Sequence, residues 1–292
     1  MEYFVTQLIN GLAAGSLYAL IAVGYNMVYG ILQLVNFTHG DVYMFGTFIA
    51  MTLLGAKVPF PLAVLIACTA GGLLSLTIEK FAYRPVRNAG SRIVPMISAI
   101  GATLIIKNVA QLIWGASARS FPQYLPAKPL KVGSFTINSL HLIIFSISIL
   151  LMISFVILTE KTKIGKAMRC VSQDIPAARL VGIRANRVIQ LVYFIGAFMG
   201  VIGGILFAMY YNVVWIGMGM TGTLRAWTSA IIGGMGNIYG GFFGGLLLGV
   251  GESLISGYIS SSWRDGVSYV ILMLVLLLKP NGLLGKNLAE RA

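Results

Sequence analysis

Long, nearly unbroken apolar runs recur along this chain, and each is about the length that a helix needs to cross a lipid bilayer. A hydrocarbon layer of about 30 Å takes roughly 20 helical residues. Runs of that kind lie near residues 5–31, 42–57, 62–82, 93–114, 139–159, 188–211, 225–258 and 265–279. The seventh is long enough for two passes, and its Gly-rich middle, Gly233 to Gly245, is where a break is expected. Eight or nine transmembrane helices follow. Of the 292 residues, 58% are hydrophobic and 10% charged, a balance that excludes an ordinary water-covered globular domain. The expected fold is all-α, a polytopic membrane protein with a single transmembrane domain over residues 1–292.

The formal charge of +13 would point to nucleic acid in a soluble chain. Here Lys and Arg gather between the apolar runs, at Lys80 to Arg92, Lys161 to Arg187 and Lys279 to Arg291. The retention of positive loops in the cytoplasm explains them with no nucleic acid partner. Those clusters, and the C-terminus with them, are expected on the cytoplasmic side. No Lys or Arg precedes Lys57, so the first run lacks the cationic start of a signal peptide and is expected to remain as a helix with its N-terminus outside. The segment between Gly115 and Ser139, with Pro122, Pro126 and Pro129, reads as an ordered external connection. Cys68 in a run and Cys170 in a basic loop are not expected to meet in a disulfide. Two histidines and two cysteines without Cys-x-x-Cys or His-Glu-x-x-His spacing offer no metal site. No Ser-His-Asp motif suggests a catalytic residue.

The interruption from Glu160 to Arg187 carries seven basic residues between two apolar runs, as a docking surface for a soluble partner would. Met168, Val171, Ile175 and Ala178 recur at spacings of three and four, which aligns them on one helical face. Asp174 is suited to cap a short helix over Ile175 to Val181, with Pro176 in its first turn and Gly182 as its stop. Such a helix either lies on anionic lipid, at about 1 kcal/mol per basic residue near the surface, or fits a cleft on a cytoplasmic motor.

Small and polar residues mark other places. Gly11 and Gly15, Gly200 and Gly204, and Gly241, Gly245 and Gly249 are spaced four apart, which leaves helix grooves for a neighbouring backbone. Gly40-Asp41-Val42-Tyr43 echoes Gly236-Asn237-Ile238-Tyr239, as broken helices in the two halves of an inverted repeat would. Asn36, His39 and Asp41 either line a pathway or gate, or serve structure, with Asp41 as the N-cap of a span and His39 in a buried hydrogen bond. Glu252 either pairs with Arg225 or Arg264 near the outer face or faces a wet cavity, or it takes part directly in transport. Lys107, beside Asn108 and Gln111, is expected to reach outward to the interface and is given no role. Tyr18, Tyr25 and Tyr29 form a stripe, for packing or for lining an aliphatic site.

The run Ala177-Ala178-Arg179-Leu180-Val181-Gly182 resembles the Ala-Ala-x-x-x-Gly core of the loop by which permeases of ABC importers contact their ATPases. Pro176 stands where the commonest form has Glu, and the Ile-x-Leu-Pro ending is absent. Further stretches resemble, in order, the membrane subunits of branched-chain amino acid ABC transporters of the LivH type. They are Asn36-Phe37-Thr38-His39-Gly40-Asp41-Val42-Tyr43-Met44, Tyr83-Arg84-Pro85-Val86-Arg87, Gly165-Lys166-Ala167-Met168-Arg169, Leu180-Val181-Gly182-Ile183 and Gly233-Gly234-Met235-Gly236-Asn237, continuing to Pro280-Asn281-Gly282. The resemblance implies a bacterial-type inner membrane permease that pairs with a second, related permease. Two cytoplasmic ATPase subunits that bind ATP and Mg would drive it, and an external binding protein would deliver leucine, isoleucine or valine. The chain itself has no Gly-x-x-x-x-Gly-Lys-Ser/Thr phosphate loop, so no cofactor is expected on it.

On that reading Gly165, Arg169, Asp174, Ala177, Ala178, Arg179 and Gly182 couple to the ATPase within a cytoplasmic loop at 160–187. Asn36, His39, Gly40, Asp41, Tyr43, Gly236, Asn237 and Glu252 are the pathway or gate candidates. Related permeases carry urea or short amides, which remains an alternative cargo. A proton-coupled carrier using Asp41 or Glu252 is a different class, and a passive channel a third.

Overall fold

The structure is a computed structural model that describes residues 2–87, 89, 91, 93–126, 129–132 and 135–285. Arg92, Lys128 and the end of the last basic cluster, through Arg291, lie outside the described residues. The helices in chain order are α1 (Glu2–Leu32), α2 (His39–Gly55), α3 (Phe60–Ile78) with a π turn at its end (Glu79–Tyr83), α4 (Ile93–Trp114), α5 (Ser139–Lys161), α6 (Lys163–Gln173), α7 (Ile175–Leu180), α8 (Ala185–Tyr211), α9 (Met218–Gly233), α10 (Ile238–Tyr258) and α11 (Arg264–Leu278). Among the described residues, six helices are long and apolar enough to cross a membrane: α1, α3 with its π turn, α4, α5, α8 and α10. The chain is a multi-pass, all-α membrane protein.

The expected eight or nine spans differ from these six at α2, α9 and α11, which have 17, 16 and 15 residues and rise about 22–26 Å. For α2 the reason is visible. His39, its first residue, packs against Gly24 of α1 and Gly200 of α8, so the helix starts inside the bundle. The long run near 225–258 does divide, at residues 234–237 between α9 and α10.

Helix α1 is central, with 78% of its most apolar stretch buried, whereas α4 is peripheral at 22%. Its main partner is α10, and the two meet through glycine. A Cβ on Gly249 would fall 2.2 Å from the Cα of Gly15, one on Gly245 would fall 2.4 Å from the amide nitrogen of Ala19, and one on Gly11 would fall 2.6 Å from the Cα of Val250. No side chain fits there. Lipid supplies no hydrophobic force between helices, so such close backbone approach is what makes the pair cohere. Gly200 and Gly204 pack against protein too, but their neighbours are the side chains of His39, Tyr43 and Thr47.

Three loops share one end of the bundle. Glu160 at the end of α5 accepts from Tyr239 Oη at the start of α10 (2.7 Å). Arg87, just past the π turn, donates to Asn186 Oδ1 at the start of α8 (2.9 Å). Beyond α11, Leu283 and Leu284 donate to the carbonyls of Ile232 and Gly233 at the end of α9. The described parts of all three basic clusters thus emerge together. At the other end Tyr3 Oη donates to Gly257 O (2.8 Å). There the proline-containing connection forms short strands, β1 (Arg119–Ser120) against β4 (Val213–Val214) and a hairpin of β2 (Pro129–Val132) with β3 (Phe135–Asn138).

The two echoing tetrads occupy unlike places. Gly40 to Tyr43 lie within the first turns of α2, whereas Gly236 and Asn237 form the tight turn before α10, Gly236 with φ of +80°.

Gly245→Leu is expected to abolish recovery of monodisperse protein on size-exclusion chromatography in detergent. Gly101→Leu, on the outer face of α4 where a Cβ meets nothing within 4 Å, should elute like the parent.

Candidate functional site

The basic segment folds as an elbow between two spans. Thr162 caps α6, its Oγ1 accepting from the Gly165 amide (3.1 Å). A Cβ on Gly165 would sit 1.9 Å from Thr159 O, so only glycine lets α6 turn this tightly off the end of α5. The Arg169 guanidinium donates to that same Thr159 carbonyl. Both residues act at the bend. Next, Asp174 is extended and accepts from the Ala177 amide (3.0 Å), which caps α7. At the far end Gly182 has φ of +83°. Its amide bonds to Arg179 O and that of Ile183 bonds to Ala178 O, both at 3.0 Å. This paired closure, with a left-handed glycine after the helix, is a Schellman stop.

Met168, Val171 and Ala178 face inward, each no more than 5% exposed, while Leu180 and Val181 are 90% and 73% exposed. An apolar tip on a short, doubly fixed helix has no reason to face water unless something covers it. Arg179 beside it is exposed as well.

A second group gathers where α1 gives way to α2. Asn36 Oδ1 accepts from Thr38 Oγ1 (2.8 Å) and from Tyr83 Oη (3.0 Å). His39 is 3% exposed, and its Nε2 has no hydrogen-bond partner among the described residues. A Cβ on Gly40 would fall 1.8 Å from Thr223 Oγ1 and 2.1 Å from Gly219 O, so glycine is what seats α2 on α9. The Tyr43 hydroxyl donates to Met218 O and, at 3.5 Å, to Gly219 O.

Asp41 is not the N-cap. That place falls to Thr38, which makes no side-chain capping bond. Asp41 instead lies in the first turn, 2% exposed, with Lys107 Nζ 3.8 Å from its Oδ1. Lys107 therefore turns inward from α4 and does not reach for the interface. An unpaired carboxylate buried here would be costly, and the pair also anchors the peripheral α4 to α2.

Glu252, 0% exposed, settles a third group. It pairs with both candidates at once, with Arg225 Nε at 3.3 Å from Oε1 and Arg264 Nε at 2.9 Å from Oε2. Tyr18 Oη and Ser268 Oγ donate to it at 2.9 and 2.7 Å, and Arg264 also donates to Tyr211 Oη (2.6 Å). Tyr18 of the aromatic stripe thus has a polar task, whereas Tyr25 and Tyr29 stack on each other with ring centroids 6.3 Å apart.

Gly236 and Asn237 belong to a fourth place. Asn26, buried in the last third of α1, accepts from the Gly236 amide (3.3 Å) and donates to Asn237 O (2.9 Å). Asn237 Oδ1 caps α10, and its Nδ2 donates to Leu284 O (2.8 Å). The expected pathway residues are therefore spread over three polar groups and form no single pocket among the described residues. Asn26, Tyr83 and Lys107 complete these groups and were not singled out as site residues. A polar residue inside an apolar run was the available signal for Asn26 and Lys107.

A bundle of span-length helices joined by a basic elbow defines a multi-pass membrane protein. Residues 7–276 match the family described as "Branched-chain amino acid transport system / permease component", and the chain belongs to that family. It is 36% identical to the high-affinity branched-chain amino acid transport system permease protein BraD of Pseudomonas aeruginosa, over 99% of this chain and 98% of that one. It is likewise 36% identical to the corresponding protein LivH of Escherichia coli K12, with the same coverage. The solved structure of PsaBC from Streptococcus pneumoniae in complex with Fab covers the whole chain and 94% of its own at 12% identity, but its TM-score of 0.45 carries no argument.

Glu252→Gln takes a buried carboxylate away from the partly buried Arg225 and Arg264 and is expected to cost about 3–5 kcal/mol. Ser268→Ala removes one hydrogen bond and should cost about 1 kcal/mol. Thermal unfolding in detergent micelles measures both.

Proposed function

We propose that this subunit forms half of a pathway for leucine, isoleucine and valine in a bacterial-type inner membrane, paired with a second, related permease. Two cytoplasmic ATPase subunits grip its elbow, and an external protein delivers the cargo. Family membership supports the cargo class. The gathering of all three basic clusters at one end, opposite the N-terminus, supports a cytoplasmic elbow with the N-terminus outside. One observation carries the coupling: α7 is closed at both ends, by Asp174 and by Gly182, and presents exposed Leu180 and Val181 between α5 and α8.

An amino acid zwitterion cannot cross hydrocarbon unaided, because both charges would lose their water. The pathway must open alternately to each side. When the ATPases close around ATP, α7 moves with them. Because Gly165 and Arg169 fix the elbow to the last carbonyls of α5, the motion passes to that span and to α8 rather than being lost in a slack loop. A proton-coupled carrier is disfavoured on this geometry, since Asp41 and Glu252 are each committed to a cation.

Gly182→Val forces a β-branched residue into the left-handed region, at a cost of at least about 1–2 kcal/mol, and Ala178→Trp overfills a buried contact. Either should leave the protein inserted in the membrane while cutting uptake of radiolabelled leucine by the assembled transporter at least about tenfold relative to ATP hydrolysed. Uptake and hydrolysis that stay in their normal ratio in both variants would remove α7 from the coupling role.

A further inference from the structure

Behind the docking helix lies a cleft lined by Arg84, Arg179, Arg184, Arg187, Asn186 and Gln190. Arg84 comes from the end of the π turn and Arg179 from α7, while Arg184 is the N-cap of α8 and Arg187 lies in its first turn. All four arginines are exposed. Of the acids of this end among the described residues, Glu160 and Asp174 are engaged elsewhere, while Glu79 lies buried behind the cleft, close to Gln190 and within electrostatic reach of Arg84. Glu79 faces Arg87 at 3.9 Å, Glu160 accepts from Tyr239, and Asp174 caps α7.

The cleft therefore sets four arginines against one buried carboxylate, Glu79, which Arg87 already faces, and the positive end of the α8 dipole adds to the excess of positive charge. Its back wall reports the crowding. Burial lowers Arg87 from the usual guanidinium range, Glu79 opposes that shift, and Arg179 and Arg84 deepen it. Arg87 itself is fixed by Asn186 (2.9 Å).

Guanidinium forks match the oxygens of a phosphate. Location favours lipid over protein as the source. Three of the four arginines sit where α3 and α8 leave the apolar layer, and only Arg179 belongs to the docking helix. Phe81, three residues before Arg84 on the π turn, is 70% exposed, an apolar surface on the element that supplies one of the arginines, as acyl chains below a bound headgroup would need. We propose that this cleft binds the phosphate-bearing headgroup of an anionic phospholipid in the cytoplasmic leaflet, wedged beside the pivot between α7 and α8. The cytoplasmic placement rests on the function proposed above, but the lipid contact does not depend on coupling.

Native mass spectrometry of the full-length protein tests this with phosphatidylglycerol, phosphatidylethanolamine and inorganic phosphate as separate probes. The parent should retain phosphatidylglycerol over phosphatidylethanolamine. Arg84→Gln/Arg184→Gln/Arg187→Gln should bind it about 100-fold more weakly and Arg187→Gln alone about fivefold more weakly. Lys161→Gln/Lys163→Gln, on the same face outside the cleft, should match the parent. Undiminished retention by both arginine variants overturns the proposal, as does retention of inorganic phosphate without lipid. A triple variant that keeps its lipid but no longer co-purifies with the ATPase also overturns it, by making the cleft a protein contact. Failure of α7 to couple would leave lipid retention intact, so the two readings fail separately.

Discussion

The fold depends on how closely α1 and α10 approach. Hydrocarbon does not press helices together, so cohesion must come from contact between backbones and from hydrogen bonds across the interface. Gly11, Gly15, Gly245 and Gly249 remove the side chains that would hold the two axes apart. With α10 seated, Asn26 reaches the turn at Gly236 and Asn237, and Tyr18 reaches Glu252. Both polar contacts cross the same seam and would be out of range were the helices an ångström or two further apart.

The buried charges serve the same architecture. Asp41 with Lys107 ties α2 to the peripheral α4, and Glu252 gathers α1, α9 and α11 through Tyr18, Arg225, Arg264 and Ser268. Each carboxylate would be prohibitive alone in this setting, and each is matched by at least one cation. Two arginines share that glutamate, and the Tyr18 and Tyr211 hydroxyls join the same cluster.

What could be read from sequence divides by range. The Asp174 cap and the Gly182 stop act over three to five residues, so their chemistry was visible in the order of residues alone. Glycine spacing announced close packing, and the pairing of 11 and 15 with 245 and 249 needed only the structure to say which groove met which. Contacts between distant segments were hidden. Lys107 looked free because nothing in α4 shows that Asp41 lies across from it, and the β1–β4 pairing joins loops with no strand-like alternation. Hydropathy measures how apolar a run is, and not the length of the helix it folds into or where that helix begins, so it does not tell the six span-length helices from the shorter α2, α9 and α11.

One contact among these is weaker in kind than the others. The Tyr239 hydroxyl meets Glu160 at the rim of the bundle, in reach of water that can replace either partner at small net cost. The glycine seam nearby has no such substitute. That one contact can thus open and close while Met168 and Val171 keep the elbow seated, which makes the rim the most yielding join between α5 and α10.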